Sequence, residues 1–191
     1  HLSISTNDIT TQAFFVRMPL ILSFQFMIDQ NFLQIIENDS GLTNITATHD
    51  WLKENKKSIE LKLEEHGAIL FKDLPIETAD DFDQFVSTFN YDTFTYEESL
   101  SNAVRINKTN KVFTANEAPR EVEIFLHHEM AQTPTYPKNI FFFCKSASEI
   151  GGETPLCRSD LLYKALLRAD KTLVEKFEKF GVIYNSIMSS G

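Results

Sequence analysis

The 191-residue sequence is poor in the residues that staple and punctuate small folds: two cysteines, six glycines, six prolines and one tryptophan. Two cysteines, Cys144 and Cys157, are too few for a disulfide scaffold. Neither stands in C-x-x-C spacing, so a reducing, cytoplasmic setting is the simpler reading. Cations are also scarce. Against 27 Asp and Glu there are 18 Lys and Arg, leaving a net charge of −9. That excess speaks against a nucleic-acid partner, which needs clustered Lys and Arg. Long apolar runs are missing as well. "MPLILSFQFMI" (18–28) is eleven residues long and interrupted by Gln25. It is too short to cross a bilayer, and no small-residue cleavage site follows, so it reads as a buried strand or two. No repeat or low-complexity segment is visible.

What the chain does have is phenylalanine, 17 of them, within a composition of 42% hydrophobic and 24% charged residues. The length suits one domain with a sizeable core, here rich in large flat side chains. Residues 1–17 carry no periodicity, and "STNDITTQ" reads as a solvated arm; with the apolar run it makes an N-terminal segment over 1–29, ahead of a main domain over 30–191. In "HDWLKENKKSIELKLEEHG", Asp50 is an N-cap candidate and Gly67 a stop, with Leu52, Ile59 and Leu63 on one helical face. "AILF" (68–71) is a short buried strand. Thr78 caps a second helix, over 79–89, whose Phe82, Phe85, Val86 and Phe89 recur at helical spacing. "KVFTA" (111–115) and "VEIFL" (122–126) are short strand candidates, and "NIFFFCKS" suits a central strand. Ser159 and Asp170 are caps for two further helices, the second ended by Gly181. "VIYNSIM" (182–188) reads as one more strand with no partner after it, which suggests an unfinished sheet.

The stretch "LHHEM" (126–130) carries the chemistry. If it is extended, His127 and Glu129 fall on one face, with Cα atoms roughly 6.5–7 Å apart, and His128 on the other. An imidazole nitrogen and a carboxylate oxygen could then meet one ion about 2 Å from each. The pattern is common, though, and a strand-end histidine bonded to a carboxylate meets it equally well. "GGETP" (151–155) by itself is what any loop looks like, and Thr154 could simply bond its own backbone.

In collinear order, "HGAILFKDLPIETADDFDQFV", "NEAP", "LHHEM", "PTYPKNIFFFC", "GGETPL" and "KFEKFGVIYN" resemble the TauD/TfdA family of Fe(II)- and 2-oxoglutarate-dependent dioxygenases, in its SyrP-like branch, over roughly residues 50–187. The resemblance implies a double-stranded β-helix, the jelly roll of the clavaminate synthase-like enzymes, with flanking helices: an α+β or mainly β fold. It implies Fe(II) held by a facial triad in which His127 and Glu129 are two of three ligands. Thr154 matches the threonine that helps bind 2-oxoglutarate. The partners implied are O₂ and a small-molecule substrate, such as an amino acid or related metabolite, oxidised or hydroxylated as 2-oxoglutarate is decarboxylated to succinate. The retained Glu129 favours hydroxylation or a related oxidation over halogenation, because halogenating relatives lack the carboxylate.

Three departures stand out. His128 replaces the usual asparagine of "HNE", at a position turned away from the metal. "LFKDLP" replaces "LFRGFP". The family's second histidine ligand and its 2-oxoglutarate-binding arginine lie well downstream of "GGETP", whereas here no histidine follows His128 and Arg168 sits inside a helix. His1, His49 and His66 all precede the motif. The expectation is therefore a truncated jelly roll with two of three iron ligands, inactive as it stands, whose open face favours an oligomer. The rival expectation is a fragment or degenerate paralogue that acts as a non-catalytic binding protein or has no function. A metal-binding protein of unrelated fold is a third.

Overall fold

The computed structural model describes residues 12–17, 32–93, 105–115, 117, 119, 121–131, 133, 136–147, 149 and 154–185. They form four strands and four helices: β1 (Gln12–Arg17), β2 (Gln34–Glu37), α1 (Ile45–His66), β3 (Ala68–Lys72), α2 (Ala79–Ser87), β4 (Asn139–Cys144), α3 (Ser159–Ala169) and α4 (Lys171–Phe180). One sheet runs in the order β2-β3-β1-β4. β2 lies parallel to β3, while β1 is antiparallel to both β3 and β4. Parallel neighbours need a crossover, and α1 is that crossover. The architecture is mixed α and β, with few strands, and it does not display a complete double-stranded β-helix among the described residues. The apolar run 18–28 lies outside them.

The first helix starts earlier than the sequence suggests. Asn44, in extended conformation, caps it by accepting from the Ala47 N–H at 2.9 Å, and Asp50 is an interior residue. Ile45, Thr46 and Thr48 are modest helix formers, but Thr48 is fully buried and its hydroxyl donates to the Asn44 carbonyl at 3.1 Å. Packing overrides propensity here. At the other end Gly67 takes φ 80° and its N–H closes on the Leu63 carbonyl at 2.8 Å, the left-handed stop that glycine adopts most easily.

α2 opens with a reciprocal capping box. The Asp81 N–H donates to the Thr78 hydroxyl at 3.1 Å, and the Thr78 N–H donates to the Asp81 carboxylate at 3.0 Å. Burial pushes the Asp81 carboxyl up, but the Thr78 hydroxyl and the N–H groups of Glu77 and Thr78 outweigh it and hold the group below its ordinary value. The helix carries its phenylalanines into the core. Phe85 meets Phe71 of β3 edge-on at 5.3 Å, Phe82 stacks on Phe143 at 5.2 Å, and Phe89 lies 5.3 Å from Phe141. Residues 141 and 143 share a face of β4 because strand side chains alternate. Leu52, Ile59 and Leu63 of α1 join the same cluster.

Several sequence expectations are corrected. The arm over residues 1–17 contributes β1 at 12–17, between β3 and β4. β4 is an edge strand of the described sheet, not a central one. No strand forms at 111–115 or 122–126; the first holds only an isolated bridge, Asn107 to Phe113. Val122, Ile124, Phe125 and Leu126 are exposed, and without a pairing partner β-propensity alone does not make a strand. Residues 182–185 are likewise irregular and exposed, and 186–188 lie outside the described residues. Arg158, not Ser159, is the N-cap of α3, and its guanidinium, which has no acceptor, makes no capping bond; Ser159 is the first helical residue and its hydroxyl pairs with His128. Asp170 and Gly181 bound α4 as expected. Cys144 and Cys157 are both unpaired. Among the described residues no helix is long and apolar enough to cross a membrane.

Candidate functional site

The "LHHEM" segment is an irregular stretch that ends in a turn, not a strand. Met130, buried, adopts φ 58°, and the Ala131 N–H donates to the His128 carbonyl at 3.2 Å. A left-handed backbone at a non-glycine residue is unusual, and it re-aims the chain immediately after Glu129. The period-two argument for pairing His127 with Glu129 therefore has no strand to rest on. Their side chains nevertheless approach: His127 Nε2 lies 4.0 Å from Glu129 Oε2. His128 points elsewhere, its Nε2 bonded to the Ser159 hydroxyl at the start of α3.

Hydrogen bonds fix what each group presents. His127 Nδ1 lies 2.7 Å from the Phe125 carbonyl oxygen. A carbonyl only accepts, so Nδ1 carries the proton, and in the neutral ring Nε2 bears the lone pair. The Glu129 side chain is 21% exposed, and its Oε1 accepts from Arg105 Nη2 at 3.2 Å. The other oxygen, Oε2, faces His127. His127 Nε2 and Glu129 Oε2 thus face each other across 4.0 Å, at the exposed edge that His127 provides with 58% of its side chain open. Adjacent ligands of one ion, about 2.1 Å from it, lie about 3 Å apart. The pair would have to close by roughly 1 Å to share an ion, a small torsion of an exposed imidazole. The donor set fits a metal half-site. Among the described residues no group of three His, Cys, Asp or Glu gathers around an ion.

Arg105 was not singled out by the sequence. Its guanidinium reaches the Thr114 carbonyl at 3.4 Å as well as Glu129, and it lies over the Phe113 ring at 5.3 Å. The only sequence hint is a cation set beside apolar residues in "NAVRIN". Arg158, too, stands in no sequence pattern that marks it. It forks onto Asp160 at 2.9 and 2.8 Å. Burial pushes the Asp160 carboxyl up, but the bonded Arg158 guanidinium holds it lower than usual. Arg168 lies in α3. Thr154 is exposed in the segment leading to α3, and no hydrogen bond joins it to His127, Glu129 or Arg105 among the described residues.

A family model described as "Taurine catabolism dioxygenase TauD, TfdA family" matches residues 37–187. The chain belongs to the TauD/TfdA family. The match runs from the end of β2 past α4 and includes His127, Glu129 and Thr154. Among curated TauD/TfdA relatives, a clavaminate synthase-like protein of Arabidopsis thaliana is 35% identical over 137 residues, covering 72% of this chain and 41% of its own length. The dapdiamide synthesis protein DdaC of Enterobacter agglomerans is 31% identical over 122 residues, covering 64% of this chain and 36% of its own. The chain therefore spans about two fifths of the length of these relatives.

Proposed function

We propose that this chain carries part of the active site of an Fe(II)- and 2-oxoglutarate-dependent dioxygenase that oxidises a small molecule. His127 and Glu129 are two of the iron ligands, and Thr154 belongs to the 2-oxoglutarate side of the site. The observation that carries this reading is the pair itself: His127 Nε2, the ring nitrogen not bonded to Phe125, lies 4.0 Å from the Glu129 oxygen that Arg105 leaves open. Membership of the TauD/TfdA family supports the class of reaction.

Within that reading each residue has a defined task. The Phe125 carbonyl keeps His127 in the tautomer whose Nε2 can bind a metal, a common arrangement around ligating histidines. Glu129 contributes negative charge at one oxygen. The Ser159 hydroxyl holds His128 away, so the two adjacent imidazoles do not compete for one ion. Bound there, Fe(II) would supply the chemistry with O₂ that decarboxylates 2-oxoglutarate and oxidises a substrate C–H bond. Unpaired cysteines accord with a reducing, cytoplasmic setting.

Calorimetric titration with Co(II), a redox-quiet surrogate, tests the ligand assignment. Two protein ligands should give weak binding that His127→Ala and Glu129→Gln each abolish, since affinity depends on ligand count and support. Binding indifferent to both substitutions would move the metal elsewhere. No binding at all would favour a second reading, suggested by the 4.0 Å gap: a structural ion cluster of Arg105, Glu129 and protonated His127.

A further inference from the structure

We infer that Arg105 is the positioning residue that makes Glu129 a one-oxygen metal ligand, and that the turn carrying Arg105 is braced on α2 for this purpose. The inference rests on the assignment of His127 and Glu129 as ligands. It begins from the division of labour at the carboxylate. Arg105 takes Oε1 at 3.2 Å, and Oε2 is the oxygen that faces His127 Nε2. A glutamate has three rotatable bonds and can chelate an ion through both oxygens. With one oxygen held by a guanidinium, only the other is offered. A metal held there would keep free the position that a chelating carboxylate would otherwise take.

The guanidinium can hold the carboxylate only if it is itself held. Arg105 is 14% exposed, bonded to the Thr114 carbonyl and laid over the Phe113 ring. Those contacts belong to a closed turn. The Ile106 N–H donates to the Thr114 hydroxyl at 3.0 Å, the Thr114 N–H to the Ile106 carbonyl at 2.9 Å, and the Lys108 N–H to the Val112 carbonyl at 2.8 Å. The far end of the turn is tied to α2, where the Thr109 hydroxyl donates to Asp83 and Lys111 Nζ donates to Ser87 at 2.8 Å. A continuous chain of contacts therefore links α2, whose Phe82 and Phe85 are buried in the core, to the orientation of Glu129. An arginine suits the task because its planar fork bonds two acceptors at once, whereas a lysine is a point charge.

Two effects of Arg105 oppose each other, and their signs make the inference testable. Its positive charge repels a cation bound at Glu129, so simple removal of charge would tighten metal binding. Its positioning role holds the ligand in place, so removal would loosen it. Partners that orient metal ligands typically contribute about 10–100-fold in affinity.

The experiment is Co(II) titration of the 191-residue chain by calorimetry and visible absorption, comparing wild type, Arg105→Met, Arg105→Lys and His127→Ala. Positioning predicts that Arg105→Met weakens Co(II) binding about 10–100-fold and alters the visible spectrum as Glu129 becomes free to chelate. Arg105→Lys should recover part of the affinity but not the wild-type spectrum. Should Arg105→Met fail to fold, the lysine variant alone decides, with severalfold weaker binding expected. Wild-type affinity and spectrum in whichever Arg105 variants fold, or tighter binding in Arg105→Met, overturns the inference while leaving the ligand assignment intact. Co(II) binding unchanged in His127→Ala overturns the ligand assignment, and this inference with it.

Discussion

Phe85→Ala should be among the most damaging single substitutions in the described core, and its cost can be worked from the contacts. Phe85 is 0% exposed and touches three rings: Phe71 at 5.3 Å, Phe89 at 5.8 Å and Phe82 at 6.4 Å. Burying such a side chain is worth about 1.5–3 kcal/mol. Removing it also leaves a void of up to about 100 Å³, which at ~24 cal/mol per Å³ adds up to about 2.4 kcal/mol. The surroundings are a helix and a strand already close-packed, so collapse into the void is partial. The expected loss is about 3–5 kcal/mol, in line with buried Phe-to-Ala changes elsewhere. For a chain of this size each kcal/mol shifts the melting temperature by about 2–4 °C, so the midpoint should fall by roughly 6–20 °C. Differential scanning calorimetry on wild type and variant measures it. Phe180→Ala, at a ring 72% exposed, is the control and should stay within about 0.5 kcal/mol. A Phe85→Ala midpoint within about 2 °C of wild type would refute the packing described for α2 against β3.

Asp81→Asn keeps an acceptor for the Thr78 cap but removes its charge, at a cost of about 0.3–1 kcal/mol at pH 7. The folded-state value of Asp81 lies below its unfolded one, so this contribution is present above about pH 4 and lost as the pH falls through the folded value. Urea melts of both proteins at pH 7 and pH 3 should show the difference shrink at the lower pH. Gly67→Ala puts a Cβ at ordinary distances, 3.6 Å from Arg158 Cγ, so its cost comes from φ 80° and should be roughly 1–2 kcal/mol by denaturant melt. A neutral or stabilising result would mean that α1 ends differently. Tyr163 bonds Glu178 across α3 and α4, and that carboxylate pushes the phenol up to about 12. The folded state then keeps a proton that the unfolded chain releases, so this contact loses stability as pH rises from about 10. Ultraviolet titration should show a late-ionising tyrosine whose transition moves to lower pH in Glu178→Gln.

Much of the core was legible because it obeys local rules. Leu52, Ile59 and Leu63 recur at helical spacing and are buried together; Thr78 precedes a helix whose Phe82 and Phe85 are buried in the core; Gly67 supplies a backbone turn that other residues resist. The family was legible for a different reason, the order of short motifs along the chain. Where the sequence misled, the deciding interaction lay far away in the chain. β1 looks like a polar arm until β3 and β4 pair with it on both sides. "VEIFL" has the composition of a strand, but a strand exists only with a hydrogen-bonded neighbour, and composition does not specify one. Arg105 and Glu129 are 24 positions apart, and no periodicity links them. Their meeting depends on a turn braced against α2 and on the left-handed Met130, which redirects the backbone after Glu129. The residue types at the candidate site come from sequence, but which oxygen of Glu129 is engaged, and which nitrogen of His127 faces it, depends on side chains brought together only by tertiary folding.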